Sequence, residues 1–342
     1  MCFPKENGKN RGDWVQKNIW MLCAFLCVVL CGCEKSAAQQ DTVTKEVFAM
    51  DTVMDLSITD PDAGTYMNDV VKMINAYDGL WNVNKEDSDI AKLNEKKKLQ
   101  VQTETYDIIQ KSINYAKKTN GCFDITLFPV VKAWGFTTEE EKVPDADTLQ
   151  KALQKVGYRN VVLKEDHLVE LKNQSEIDVG AIAKGYLSEA IMTYLIEKNV
   201  SSAMVSLGGN VQTIGQKNGS ENYRIGITDP KDGTSVYGIV SLHDKAVVTS
   251  GIYQRYFEEN GKVYHHIMDY RTGAPAENDL ASVTVIAEDG TMADAYATAL
   301  FVMGEEEAIA FQKKEADFEM ILIRKDGSFY QSAGAGMQRV EN

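Results

Sequence analysis

Apolar residues recur at helical spacing in Met67, Val70, Val71, Ile74 and Tyr77, and again in Leu187, Ala190, Ile191, Tyr194 and Leu195. Side chains three and four residues apart share one face of an α-helix. Each set therefore predicts an amphipathic helix, the second running from Tyr186 to about Lys198, and a third helix is predicted from about Thr291 to Met303. The period changes to two at Met54-Leu56-Ile58, and the short apolar runs Val161–Leu163 and Leu168–Leu171 flank Glu165-Asp166. These are strand patterns. Asn260-Gly261 stands between Tyr253–Phe257 and Val263–Ile267, and Asp326-Gly327 repeats the device near the C-terminus. Such dipeptides fit the left-handed turn of a β-hairpin. Hairpins mixed with helices predict an α+β fold with largely antiparallel sheets and packed helices, against a doubly wound parallel sheet.

The N-terminus follows another pattern. Lys5, Lys9, Arg11 and Lys17 precede an apolar run from Ile19 to Leu30, the basic-then-apolar order of a secretory signal. That run is short for a membrane span, which takes about 20 residues. It ends in Leu30-Cys31-Gly32-Cys33, which resembles the lipobox of bacterial lipoproteins, although Cys31 is an unusual occupant of its position. The resemblance implies cleavage before Cys33 and lipid on Cys33. An uncleaved N-terminal anchor shares the same apolar core, and either way the body is expected outside the cytoplasmic membrane. The expected organisation is a signal peptide over 1–32, a polar tether over 33–44 and a body over 45–342 without solenoid repeats.

Of the six cysteines only Cys122 lies in the body, so no intramolecular disulfide is available after processing and the fold must rest on its core. The full chain carries 36 basic and 50 acidic side chains. Removing residues 1–32 leaves 32 basic against 48 acidic, a formal charge of −16. A body this acidic repels a polyphosphate over its surface as a whole, which argues against nucleic acid as a partner. A smaller phosphate ligand would have to be held locally, by backbone N–H groups, a metal or a few placed cations.

Ile177-Asp178-Val179-Gly180-Ala181-Ile182-Ala183-Lys184-Gly185 leads into the second predicted helix. Glycines ahead of a helix let the backbone approach a ligand, and the first helical N–H groups favour an anion there. The spacing fits neither a Walker A loop nor a dinucleotide fingerprint, and a lone segment of this kind is more often an ordinary turn. Ser206-Leu207-Gly208-Gly209-Asn210 ends a predicted strand, where paired glycines form either a tight turn or an anion-binding nest. His265 and His266 sit at the exit of another strand with Asp269 and Arg271 close behind. Adjacent residues of a strand face opposite ways, so at most one of these histidines serves a common site, as a base near neutral pH. Asp294 and Thr298 are four residues apart on the third helix and share a face. Together they offer the hard oxygen ligands that Mg²⁺ or Ca²⁺ prefers, although such a pair alone is usually a solvated helix face.

In this order the four segments resemble the ApbE family of flavin transferases, whose fold is related to the T-fold. The resemblance also takes in Ala49-Met50-Asp51-Thr52, Gly121-Cys122-Phe123-Asp124-Ile125-Thr126, Trp134-Gly135-Phe136, Ile225-Gly226-Ile227-Thr228-Asp229-Pro230 and Val248-Thr249-Ser250-Gly251, and it spans about Val47 to Gly304. No one segment is specific. Their collinear order is.

The resemblance implies transfer of FMN from FAD to a Thr or Ser hydroxyl of a target protein, with release of AMP and a requirement for Mg²⁺. It implies that Asp294, Thr298 and the main-chain carbonyl of Ala181 bind the metal. Met50, Cys122, Phe123, Asp124, Asp178, Lys184 and Ile267 would line the FAD site, and His266 would deprotonate the accepting hydroxyl. Implied partners are exported subunits of Na⁺-pumping or Rnf-type redox complexes, beside which a lipid anchor would hold the enzyme. The chain departs from the family pattern at Asp51, where Gly is common, and at Tyr270, in place of Pro. It departs again at Ala297, where some members have a second acidic ligand, and at Asn84, where some place an aromatic side chain on the flavin. Two other readings use the same residues: an FAD pyrophosphatase with water as acceptor, and a flavin-binding lipoprotein without turnover.

Overall fold

The computed structural model describes residues 42–138, 140–217 and 219–341. The leader, Cys33 and most of the expected tether lie outside them. The strands are β1 (Thr42–Ala49), β2 (Thr52–Thr59), β3 (Lys98–Gln100), β4 (Val161–Leu163), β5 (Leu168–Leu171), β6 (Ser202–Leu207), β7 (Asn210–Ile214), β8 (Tyr223–Thr228), β9 (Val236–Leu242), β10 (Ala246–Gly251), β11 (Tyr256–Glu259), β12 (Lys262–His265), β13 (Leu280–Ala287), β14 (Glu319–Arg324), β15 (Phe329–Gln331) and β16 (Gln338–Arg339). The helices are α1 (Ala63–Trp81), α2 (Asp89–Lys96), α3 (Thr103–Lys118), α4 (Phe128–Ala133), α5 (Ala146–Leu153), α6 (Gly180–Glu197), α7 (Gly290–Met303) and α8 (Glu305–Glu315).

The main sheet runs β1-β2-β6-β7-β10-β13-β14-β15, and every pairing in it is antiparallel. The predicted α+β class with antiparallel sheets is what the chain adopts. β2 keeps the alternation read from the sequence, with Met54, Leu56 and Ile58 buried against α1 and α6. β13 is buried at every position because both of its faces are covered. Val283 and Val285 pack toward α7, while Ile286 meets the small sheet β16-β9-β8. The tether expected to reach Thr44 is shorter than that, because Thr42 to Thr44 already pair with Thr59 to Ser57.

α7 occupies the centre, and the structure puts its start within one residue of the predicted one. Asp289 caps it by accepting the Met292 N–H at 3.0 Å, and Gly304 ends it at φ 78°. Its Ala293, Ala295, Tyr296, Ala297, Ala299, Leu300 and Phe301 are fully enclosed. A helix apolar all round belongs in a core.

α6 begins at Gly180, six residues before the amphipathic pattern suggests. The glycine-bearing segment is thus the first turns of the helix and not a loop ahead of it. Ile177, Val179, Ile182 and Ala183 are buried and fix those turns, while Ile182 and Ala183 donate to the Val179 carbonyl. At the predicted Asn260-Gly261 turn both residues are left-handed, with φ 53° and 74°, but β11 and β12 are shorter than the apolar runs around it. Among the described residues no helix is long and apolar enough to cross a membrane.

Candidate active site

The site is organised by the crossing of α6 and α7. A Cβ on Gly185 would come within 2.3 Å of the Gly290 carbonyl oxygen and 2.5 Å of the Asp294 Cβ, so only glycine permits this approach. The Gly185 N–H donates to Asp294 Oδ2 at 2.8 Å. In a regular helix that N–H would serve the carbonyl of Ala181. The Gly185 N–H therefore lies between the Ala181 carbonyl, on an exposed residue, and the Asp294 carboxylate.

Asp294 is 4% exposed, and its one complete hydrogen bond is that from Gly185. Burial pushes its carboxyl up from the usual range; the Lys184 ammonium, the Gly185 N–H and the Asn210 amide act against this. The solvated-face reading of the Asp294/Thr298 pair is therefore wrong for this chain, because α7 has no solvated face there. Thr298, one turn on, is half-buried, and its hydroxyl pairs with Ser250 Oγ at 3.2 Å. Asp178 precedes α6, with its N–H on the Ile125 carbonyl and its Oδ1 accepting the Gly180 N–H at 2.9 Å. Burial raises its carboxyl too, opposed by that N–H, by Arg255 and by Lys184. Lys184 thus acts on both carboxylates.

His265 and His266 divide as strand geometry requires. His265 is buried with its ring edge-on to Phe301 and no partner for Nδ1. His266 donates its backbone N–H to the Arg255 carbonyl at 3.1 Å, and its Nδ1 lies 3.2 Å from the same oxygen. A carbonyl only accepts, so the Nδ1 in this pair carries the proton and Nε2 keeps its lone pair. Burial pulls the His266 pKa down to about 4, and the Arg255 carbonyl only partly offsets this. The imidazole is neutral at pH 7 and able to take a proton.

Of the other expected residues, Cys122, Phe123 and Ile267 share a core cluster with Ile182, Ala183 and the buried apolar residues of α7, and Met50 packs against it. Met50 and Asp51, at φ 50° and 57°, make the two-residue turn between β1 and β2, which explains why Gly suits the position Asp51 holds. Cys122 is buried and its thiol is pushed up to about 11, so it is no thiolate nucleophile. Phe123 is enclosed in the core, as is Ile267, whose carbonyl accepts the Ala276 N–H. Asp124 accepts from the Thr126 N–H and hydroxyl and from the Tyr158 N–H, so both its oxygens already brace the chain. Asp269 and Arg271 form a two-pronged ion pair with each other, and Trp134 Nε1 donates to the Gly273 carbonyl at 2.7 Å. Both fix the loop after His266 and do not face the α6–α7 crossing.

Sequence reasoning missed Arg255, whose carbonyl sets the histidine tautomer, and the role of Gly185. No local signal marks Arg255. A cleft of about 310 Å³ lined by Tyr77, Asp107, Lys111, Tyr186 and Glu189 borders α6 and includes none of the expected site residues.

The donors fit a hard divalent cation. They are a buried carboxylate, Asp294, a hydroxyl, Thr298, and the main-chain carbonyl of Ala181. Among the described residues there is no cluster of three or more His, Cys, Asp or Glu that could hold a metal.

The model of the ApbE family matches residues 50–322. The chain belongs to the ApbE family. Among similar ApbE proteins, the FAD:protein FMN transferase of Treponema pallidum is 34% identical over 287 residues, covering 78% of this chain and 79% of that protein. The FAD:protein FMN transferase of Vibrio cholerae is 28% identical over 329 residues, 93% of this chain and 98% of that one. The crystal structure of the ApbE protein of Thermotoga maritima superposes with a TM-score of 0.81 at 32% identity, covering 86% of this chain and 97% of that one. The α+β architecture expected from the sequence is therefore the ApbE architecture.

Proposed function

We propose that this chain transfers FMN from FAD to a Thr or Ser hydroxyl of an exported protein, releasing AMP in a Mg²⁺-dependent reaction. The observation that carries the reading is Asp294, a carboxylate buried at a glycine-mediated helix crossing and held by the Gly185 N–H, with Thr298 one turn on. A buried carboxylate this poorly satisfied calls for a cation. The family, and relatives that are FAD:protein FMN transferases, supply the flavin chemistry.

Transfer forms a bond from the acceptor oxygen to the FMN phosphorus and breaks the pyrophosphate bond to AMP. A divalent metal bound by Asp294, Thr298 and the Ala181 carbonyl supplies charge neutralisation for the two phosphoryl groups as they separate. Lys184 adds a positive charge on the same side. His266, held with Nδ1 on the Arg255 carbonyl, takes the hydroxyl proton at Nε2. The first turn of α6 contributes its dipole to the phosphates, since its Gly180, Ile182 and Ala183 N–H groups are already bonded within the chain.

The leader pattern supports an enzyme held outside the membrane by lipid at Cys33, where it would meet exported subunits of Na⁺-pumping or Rnf-type redox complexes. AMP release from FAD and Mg²⁺, measured with and without a Thr-containing acceptor, tests the reaction. Release that depends on the acceptor supports transfer. Release at the same rate without it identifies an FAD pyrophosphatase, and no release in either case contradicts both.

A further inference from the structure

Gly208 and Gly209, at φ 60° and 90°, are the two central residues of the β6–β7 hairpin, and Leu207 pairs directly with Asn210. They do not form a free anion nest, because the Gly208 N–H is spent on the Val53 carbonyl at 3.1 Å. What the turn does is deliver Asn210 to the start of β7, on the same strand face as Gln212. Both side chains are buried, at 3% and 4% exposure. Gln212 is fully used: its amide donates to Glu189 Oε2 at 2.8 Å, and its carbonyl accepts from Ser188 Oγ at 2.7 Å. Glu189 in turn accepts the Gly290 N–H at 2.9 Å, so this network ties β7 and α6 to the start of α7.

Asn210 is the exception. Its Nδ2 is buried and completes no hydrogen bond, although the amide lies against the Asp294 carboxylate. Leaving a buried donor unpaired costs about 1–3 kcal/mol. The hairpin is tight, the neighbouring glutamine is satisfied, and the unpaired amide lies against a carboxylate held by a single backbone N–H.

We propose that Asn210 is a positioning residue for the Asp294 metal site, its amide completing a hydrogen bond to the carboxylate once a divalent cation is bound. The inference rests on reading Asp294 as a metal ligand. Gly185 holds the carboxylate from α6, and Asn210 would then hold it from β7, so that two different elements set its orientation. Groups that orient a metal ligand in this way typically change metal affinity by about 10–100-fold when removed.

The test compares the full-length wild type with Asn210→Ala and Asn210→Asp, reading the melting temperature without metal and Mg²⁺ affinity by calorimetry on the FAD-loaded protein. Asn210→Ala is expected to melt within about 2 °C of wild type without metal, since no completed bond is lost, and to bind Mg²⁺ about tenfold or more weakly. Asn210→Asp is expected to melt lower than wild type without metal, through carboxylate repulsion, and to gain a larger Mg²⁺-induced rise in melting temperature. Unchanged Mg²⁺ affinity in Asn210→Ala overturns the proposal, whatever its melting temperature, as does a Mg²⁺-induced rise in Asn210→Asp no larger than that of wild type. Wild type that shows no Mg²⁺ binding at all overturns the metal reading itself, which is a separate result.

Discussion

The Gly185 N–H and the Asp294 carboxylate meet at 2.8 Å across 109 residues of sequence, and that contact sets the distance between α6 and α7. The same glycine that allows the helices to touch also gives its N–H to the Asp294 carboxylate. Gly185→Ala would put a methyl group into the Gly290 backbone and the Asp294 side chain. Overpacking of this kind costs about 1–3 kcal/mol, so the melting temperature should fall by about 2–5 °C and Mg²⁺ binding should weaken with it. A thermal melt and a metal titration check this. An unchanged melt would mean that the helices do not need the close approach.

Asp294→Asn should abolish Mg²⁺-dependent turnover while leaving the fold intact, because it removes a charge that the protein alone stabilises poorly. Its melting temperature without metal should equal or exceed that of wild type. Calorimetric melts with and without Mg²⁺ should show that the metal-induced rise in wild type is lost. Normal turnover in this variant would refute the metal assignment.

His266 should act as a base well below the ordinary histidine range. With its pKa near 4, the imidazole is neutral from pH 8 to about pH 5, so a plot of log kcat/KM against pH should stay level over that span. An acid limb centred at 6.5 or above would contradict this environment. Replacing His266 with Gln should lower kcat by about 10²–10⁴-fold, with FAD affinity retained.

Stability should follow the two histidines in the same direction. His265 and His266 are both held near 4 by burial, against about 6.5 in an unfolded chain. Between those values the unfolded state binds more protons, so stability is lost as pH falls from about 6.5 toward 4. Denaturant titrations at pH 7.5 and 5 should show the lower midpoint at pH 5. Replacing His265 with Phe, beside Phe301, should flatten part of that slope.

Asp51 sits left-handed at φ 57°, in a turn position that glycine occupies without strain. Asp51→Gly should therefore stabilise the β1–β2 hairpin by up to about 1 kcal/mol. A differential melt reads the gain. A loss of stability would show that the Asp51 side chain contributes a contact beyond the turn.

Periodicity in the sequence anticipates α1 and the inward face of β2, because each buries one regular stripe. It misplaces the start of α6, where two glycines weaken the helical pattern although Ile177, Val179 and Ile182 anchor the turn from outside it. The ordered motifs carry the family and its chemistry. They do not carry the burial of Asp294, which depends on α7 being wrapped by elements far away in sequence. Nor do they separate Asp124, whose oxygens brace Thr126 and Tyr158, from carboxylates free to meet a ligand. Arg255 is silent in sequence because its contribution to His266 is a main-chain carbonyl.

The most direct test of the proposed reaction is the intact mass of an acceptor protein shown competent with a related transferase, after incubation with the full chain, FAD and Mg²⁺. The account predicts an acceptor heavier by one FMN on a Thr or Ser, with AMP formed in equal amount and neither product seen with Asp294→Asn. An unmodified acceptor in the presence of wild type, FAD and Mg²⁺ would contradict it.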